Sequence, residues 1–385
     1  MKRTRRNDVL RKALLALAAF LACVAAVELI LRTTHAFGAR TAWTRPDPGL
    51  GYSFLPGRQY WYLGPTRQAI TGRINSYGWR DNERPLAKPH NSYRIAVLGD
   101  SFVEAFQVDI GRTFLARTER QLTRETGHPV ELMNFGRSGY SPSEELLVLR
   151  NHAMRFSPDL VILFFCPSND IADVRRDTAF DTRRPFFTVS KGGELLLDNS
   201  FSKTVGFKLR QWISLLRPHS VLLSLMSARY AAYAANKSQE MRGQRSQTSA
   251  TRIPGYLSLC TSHPDPVFLE NYALAKRLIQ AMAQLCKEHK VRFLLVCVDV
   301  YMTAQDEAES PSSDPSFDLG FFERDLAGFA RANGVEYLGL QTVFGQAQQE
   351  TGLSHHLKLD GHWDDDGHRL VSRELVARLR TFMSQ

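Results

Sequence analysis

Four short polar blocks in this chain carry residue types that can do chemistry together. Gly99-Asp100-Ser101-Phe102 ends an apolar run in a small residue, an acid and a hydroxyl. Asn134-Phe135-Gly136-Arg137-Ser138-Gly139 and Cys166-Pro167-Ser168-Asn169-Asp170 follow two further apolar runs. The last block, Asp360-Gly361-His362-Trp363-Asp364-Asp365-Asp366-Gly367-His368, supplies acids and imidazoles near the C-terminus. A serine hydroxyl becomes a competent nucleophile when a neighbouring imidazole takes its proton, and an acid beside that imidazole fixes its tautomer. A glycine lets a backbone N–H approach a developing oxyanion, and an asparagine amide donates to one. Each block alone also suits a turn or a helix N-cap. Their weight lies in recurring at the ends of successive strands.

The elements that must position these blocks are legible from periodicity. Apolar runs at 94–98, 130–134, 160–165, 291–298 and 335–340 read as buried strands, separated by helical patterns at 113–125, 143–154, 269–289, 321–333 and 366–382. Alternating strand and helix is the signature of an α/β fold with a parallel sheet, whose ligands bind beyond the carboxyl ends of the strands. An interruption over about 171–265 carries a hairpin signal at 185–197, with Gly192-Gly193 as its turn. Two helical patterns follow at 203–216 and 220–235, separated by Pro218. Their apolar faces suit a core, a lid over the site or a surface resting on a bilayer. Residues 236–252 are polar and read as a linker, whereas 33–92, rich in Pro, Gly and aromatics, read as strands and turns packed on the main domain.

Ser101, Gly139, Asn169 and the Asp360/His362 segment stand in the order of the four blocks of the SGNH, or GDSL-like, hydrolase family, which the chain resembles from about residue 75 onward. The resemblance implies a three-layer α/β/α flavodoxin-like fold and ester hydrolysis or acyl transfer that needs neither metal nor cofactor. It also implies the roles: Ser101 as nucleophile, Asp360 and His362 completing a triad, Gly139 and Asn169 as oxyanion donors. Many family members space the last block Asp-x-x-His, as Asp365-Asp366-Gly367-His368 does here. His362 is preferred because Asp-x-His-Trp is similar to the block of alginate-type O-acetyltransferases, and because a histidine just after a loop reaches the strand ends more readily. His368, in the first turn of the last helix, is then structural.

Residues 1–12 are basic and residues 13–32 form an apolar stretch of about the length a bilayer core requires of a helix. A transmembrane anchor is expected, with the N-terminus cytoplasmic and the 93–385 domain periplasmic or extracellular. A cleaved signal peptide is the rival, against which the continuation through Leu29-Ile30-Leu31 counts. A lipobox at Cys23 is a lesser alternative, since Phe20 stands where a leucine is usual. Of the net charge of +10, half lies in residues 1–32, and no basic stripe with interleaved aromatics follows, so nucleic acid is not an expected partner. Five cysteines are few for a disulfide scaffold, although Cys260 and Cys286 could pair in an oxidising compartment.

The sequence is therefore read as a membrane-anchored serine esterase acting on short, acetyl-like esters, on envelope or exported glycans. The alternatives are an O-acetyltransferase modifying a polysaccharide and a non-catalytic envelope protein keeping the fold. Oligomeric state is not legible.

Overall fold

The computed structural model describes residues 2–34, 42–64, 69–230, 233, 255–302, 316–358 and 360–383. The chain divides into two compact units, Met1–Pro46 with Val205–Ala250, and Asp47–Thr204 with Thr251–Gln385.

The larger unit is built on a parallel sheet of β1 (Tyr93–Leu98), β2 (Val130–Asn134), β3 (Leu160–Phe165), β4 (Arg292–Cys297) and β5 (Glu336–Gly339), in the spatial order β2-β1-β3-β4-β5. Register is continuous across its centre, with Ile95 opposite Leu160 and Arg292 opposite the same Leu160 from the other side. Successive side chains of a strand point to opposite faces, so each central strand feeds two cores. Ala96, Leu98, Val161, Leu163 and Leu295 face one core, and Ile95, Val97, Leu160, Ile162 and Leu294 the other. Helices α1 (Phe114–Thr126), α2 (Pro142–Asn151), α3 (Pro266–Glu288), α4 (Phe321–Ala332), α5 (Gln341–Thr351) and α6 (Asp365–Met383) cover the two faces. Leu147, Leu278 and Leu326 place α2, α3 and α4 on the first core; Leu122, Phe344 and Leu375 place α1, α5 and α6 on the second. This is a three-layer α/β/α sandwich with the flavodoxin-like order.

The strands and five of these helices fall on the expected segments. Helix α5 falls on a stretch where the sequence shows no helical pattern: its Gly345 and seven polar side chains hide a short apolar pair, Phe344 and Ala347, buried on one face, and Gly352 in the left-handed conformation ends it. The hairpin Phe186–Val189/Leu195–Asp198 forms as expected, with Gly193 at φ +87° in its turn. Cys260 and Cys286 do not pair; both are buried free thiols whose pKa burial pushes up to about 12. The expected linker at 236–252 lies outside the described residues.

In the smaller unit the helix Lys2–Thr34 contains a 28-residue segment, Asn7–Thr34, long and apolar enough to cross a membrane and almost wholly exposed. Helices Val205–Leu216 and 221–230 belong to the same unit.

Candidate active site

The first block leaves β1 through Gly99, at φ +154°, where a Cβ would stand 2.5 Å from Val103 Cγ2. Only glycine allows the strand to turn this tightly into the helix Ser101–Glu104. Asp100 caps that helix, its Oδ1 accepting from Phe102 N at 3.0 Å, and is wholly buried, which raises its pKa against the hydrogen bonds it accepts from Phe102 and Asn169. The Ser101 side chain thus emerges at the carboxyl end of the sheet's central strand pair, 8% exposed.

The last block arrives from the other end of the chain. His362 Nε2 lies 2.7 Å from Ser101 Oγ. On its far side Asp360 Oδ2 is 3.5 Å from His362 Nδ1, and His362 N donates to Asp360 Oδ1 at 3.2 Å. A carboxylate only accepts, so the ring proton belongs on Nδ1, leaving the Nε2 lone pair facing the serine hydroxyl. Burial disfavours the charged ring, but Asp360 and then Asp100 outweigh it and raise the His362 pKa above its ordinary value. For Asp360 burial again works against charge, and the hydrogen bond and proximity of His362 lower its pKa in spite of it.

The spacing Asp-x-His is a property of the loop. Gly361 adopts φ +72°, which bends the chain so that residues two apart present both side chains to one place. The bend is held by Leu357 N donating to His362 O at 2.8 Å and Gly361 N to Leu357 O at 2.8 Å. Behind it, buried Trp363 donates from Nε1 to Asp299 Oδ1 at 3.0 Å, and Asp299 Oδ2 faces His356 Nε2 at 3.1 Å. Trp363 also packs on Phe102, beside the nucleophile.

His368 goes elsewhere. It is buried in the first turn of α6, where its Nδ1 accepts from Phe114 N at 3.3 Å. Burial lowers its pKa to about 3, so it is neutral through the physiological range.

Two blocks supply donors. Asn169 Nδ2 donates one of its two hydrogens to Asp100 Oδ2 at 2.6 Å, leaving the second to point elsewhere. Gly139 sits at φ +71° with open space where a Cβ would be, so its N–H lies on an uncrowded stretch of backbone. The loop before it is fixed by Gly136 N donating to Asn134 Oδ1 and Arg137 N to Gly99 O.

Sequence reasoning missed the side chains that brace these loops. Arg80 is 1% exposed and donates to the carbonyls of Glu104, Ala105 and Val108, closing the end of the nucleophile helix. Buried Arg137 lies against the rings of Phe54 and Trp79, 4.1 and 4.3 Å from their centroids, and donates to Gly78 O at 2.6 Å. Ser138 donates a short hydrogen bond to Glu104, whose pKa burial raises to about 7. The signal available was the stretch Ile74-Asn75-Ser76-Tyr77-Gly78-Trp79-Arg80-Asp81, dense in turn formers and large side chains, at the end of the 33–92 segment that reads as packed on the main domain. Among the described residues, His355, Asp364 and Asp366 could together hold a metal ion.

Residues 97–321, more than half of the chain, match the GDSL-like lipase/acylhydrolase family. The fold and the ordered blocks define a hydrolase of the SGNH class, and the chain belongs to the GDSL-like lipase/acylhydrolase family. It is accordingly an enzyme acting on ester bonds. The matched region contains Ser101, Gly139 and Asn169 and ends before Asp360 and His362. No curated protein matches the chain. Among solved structures it is similar to TesA, at 13% identity over 75% of this chain and 98% of that one with a TM-score of 0.39. It is also similar to the psychrotrophic esterase EstA from Pseudoalteromonas sp., solved inhibited by monoethylphosphonate, at 10% identity over 76% and 99% with a TM-score of 0.38. A third, LAE5, an alpha/beta hydrolase enzyme from the metagenome of Lake Arreo, shares 13% identity over 76% and 96% with a TM-score of 0.41.

Proposed function

We propose that this chain is a membrane-anchored serine esterase that hydrolyses short acyl esters through an acyl-enzyme at Ser101. The observation that carries the reading is the 2.7 Å approach of His362 Nε2 to Ser101 Oγ, with Asp360 behind the ring. Ser101 Oγ attacks the ester carbonyl as His362 takes its proton, and the imidazolium returns that proton to the departing alcohol. Water then attacks the acyl-enzyme, again losing its proton to His362, and the acid leaves as Ser101 recovers its hydrogen. Asp360 holds the tautomer and offsets the charge on the ring. The tetrahedral oxyanion is met by the N–H groups of Ser101 and Gly139 and by the Asn169 amide, whose orientation Asp100 fixes.

The anchor is the helix containing Asn7–Thr34. Its basic leading end supports a cytoplasmic N-terminus, with the catalytic unit outside. That placement supports acylated envelope or exported glycans as the substrate class. The test is p-nitrophenyl acetate turnover by the full chain in detergent. Turnover that vanishes in Ser101→Ala is expected, and equal turnover in that variant removes the proposal.

A further inference from the structure

Two of the helices in the smaller unit, Val205–Leu216 and 221–230, each turn an apolar row to solvent. On Val205–Leu216 the row is Leu209, Trp212 and Leu216, with Trp212 74% exposed; on 221–230 and beyond it is Met226, Tyr230 and Tyr233, with Tyr230 72% exposed. Both follow the three- and four-residue steps that align side chains on one helix face. The opposite faces do the packing, where Phe207, Ser214, Val221 and Ser224 are buried.

These helices are fixed to one place on the apolar N-terminal helix. Glu28 accepts from Val221 N and Leu222 N, each at 2.9 Å, and from Ser220 Oγ at 3.0 Å, so its carboxylate caps the start of helix 221–230. Arg32 donates to Glu28 at 2.7 Å and to the carbonyl of His219, and Leu31 packs on Val221. Glu28 is the first charged residue after the uncharged run 13–27. That position in a spanning helix is where hydrocarbon gives way to headgroups, the layer in which Trp and Tyr concentrate. The charge of the segment matches that layer. Residues 199–239 hold six Lys/Arg and no Asp or Glu, which favours anionic phospholipid.

We infer that helices Val205–Leu216 and 221–230 lie in the headgroup layer of the bilayer that the N-terminal helix crosses, and that their partner is an anionic phospholipid surface. The apolar rows enter the acyl boundary, and the cations stay among lipid phosphates. The inference rests on the anchor reading proposed above and extends it from a single helix to a three-helix attachment.

The experiment reconstitutes the full chain and its Trp212→Phe variant into phosphatidylcholine/phosphatidylglycerol vesicles, with and without brominated acyl chains. Equal p-nitrophenyl acetate turnover verifies that the variant is folded. Protein that floats with the vesicles establishes the anchor; protein left in the aqueous fraction overturns the anchor and this inference together. In floating protein the Trp212 share of the emission, taken as wild type minus variant, is expected to fall roughly two-fold or more with bromines at the ~5–10 Å depth of an interfacial helix. Equal fractional quenching of the two proteins overturns the inference while leaving the anchor intact, as does a crosslinked dimer with bromine-insensitive Trp212. Quenching that does not weaken when phosphatidylglycerol is omitted overturns the choice of an anionic surface.

Discussion

Asn169 Nδ2 donates to Asp100 Oδ2 at 2.6 Å, so the third strand-end block is held by the residue that precedes the nucleophile. Two residues 69 positions apart in the chain thereby share one task. Asp100 caps the nucleophile helix with one oxygen and orients the amide with the other. Asn169→Ala is expected to lower kcat by about 10²–10³ with little change in KM, because the lost donor acts on the oxyanion and not on the ground-state ester. Asp100→Ala should lower kcat as well and also cost roughly 1 kcal/mol in stability through the lost cap. Steady-state kinetics beside a thermal melt separate the two effects, and an Asn169→Ala enzyme with wild-type kcat would remove Asn169 from the oxyanion site.

The acid limb of the rate profile reports His362. Its pKa is raised against burial by Asp360 and Asp100, and the base must be neutral to accept the Ser101 proton. Half-maximal kcat/KM should therefore fall above the ordinary histidine value of about 6.5. In Asp360→Asn burial acts with less opposition, so the limb moves to lower pH while kcat drops from loss of the tautomer-holding acceptor. A limb that stays in place in Asp360→Asn would break the coupling.

His362 and His368 divide function from structure. His362→Ala should lose about 10³-fold or more in kcat with its melting temperature nearly kept. His368→Ala should keep the kcat of whatever fraction folds and melt lower, since its Nδ1 accepts from the first turn of α1. His368 is held neutral, with a pKa depressed to about 3. The unfolded chain takes up its proton first as pH falls, so this residue's contribution to stability is lost between about pH 6.5 and pH 3.

Three strand-end blocks and the sheet that carries them were legible because a buried strand writes itself as an apolar run and the chemistry sits three to five residues past its end, at Ser101, Gly139 and Asn169. The loop 355–363 was half legible. Asp360 and His362 stand out as residue types, whereas the Asp299, His356 and Trp363 contacts that shape the loop join positions up to 64 apart and leave no local pattern. Arg80 and Glu104 were invisible for the same reason. An arginine in a polar turn reads as surface, and only the fold turns it inward onto three carbonyls.

Arg80 is expected to be one of the most sensitive non-catalytic positions. Truncation to Ala leaves the carbonyls of Glu104, Ala105 and Val108 without their donor in a buried setting, a loss on the order of 3 kcal/mol or more. Arg80→Lys should recover only a small part, because a single ammonium cannot reproduce the guanidinium fork. Full recovery by lysine in chemical denaturation would contradict that geometry.

Glu104 carries a testable stability signature. Burial raises its pKa to about 7 from the model-peptide value near 4.5. The folded chain then holds a proton that the unfolded chain releases, so stability should fall as pH rises through that window, by on the order of 3 kcal/mol if the site stays dry. Glu104→Gln removes the titration while keeping an acceptor for Ser138. Its melting temperature should exceed that of wild type at pH 8 and match or trail it at pH 5. The same offset at both pH values would show that Glu104 does not titrate in this window.

The acyl-enzyme itself can be trapped. Rapid mixing with p-nitrophenyl acetate, acid quench and peptide mass spectrometry should place an acetyl group on the peptide carrying Ser101, absent in Ser101→Ala and strongly reduced in His362→Ala. Turnover with no acyl group on Ser101 at any mixing time, or acylation of another residue that survives Ser101→Ala, would contradict the mechanism.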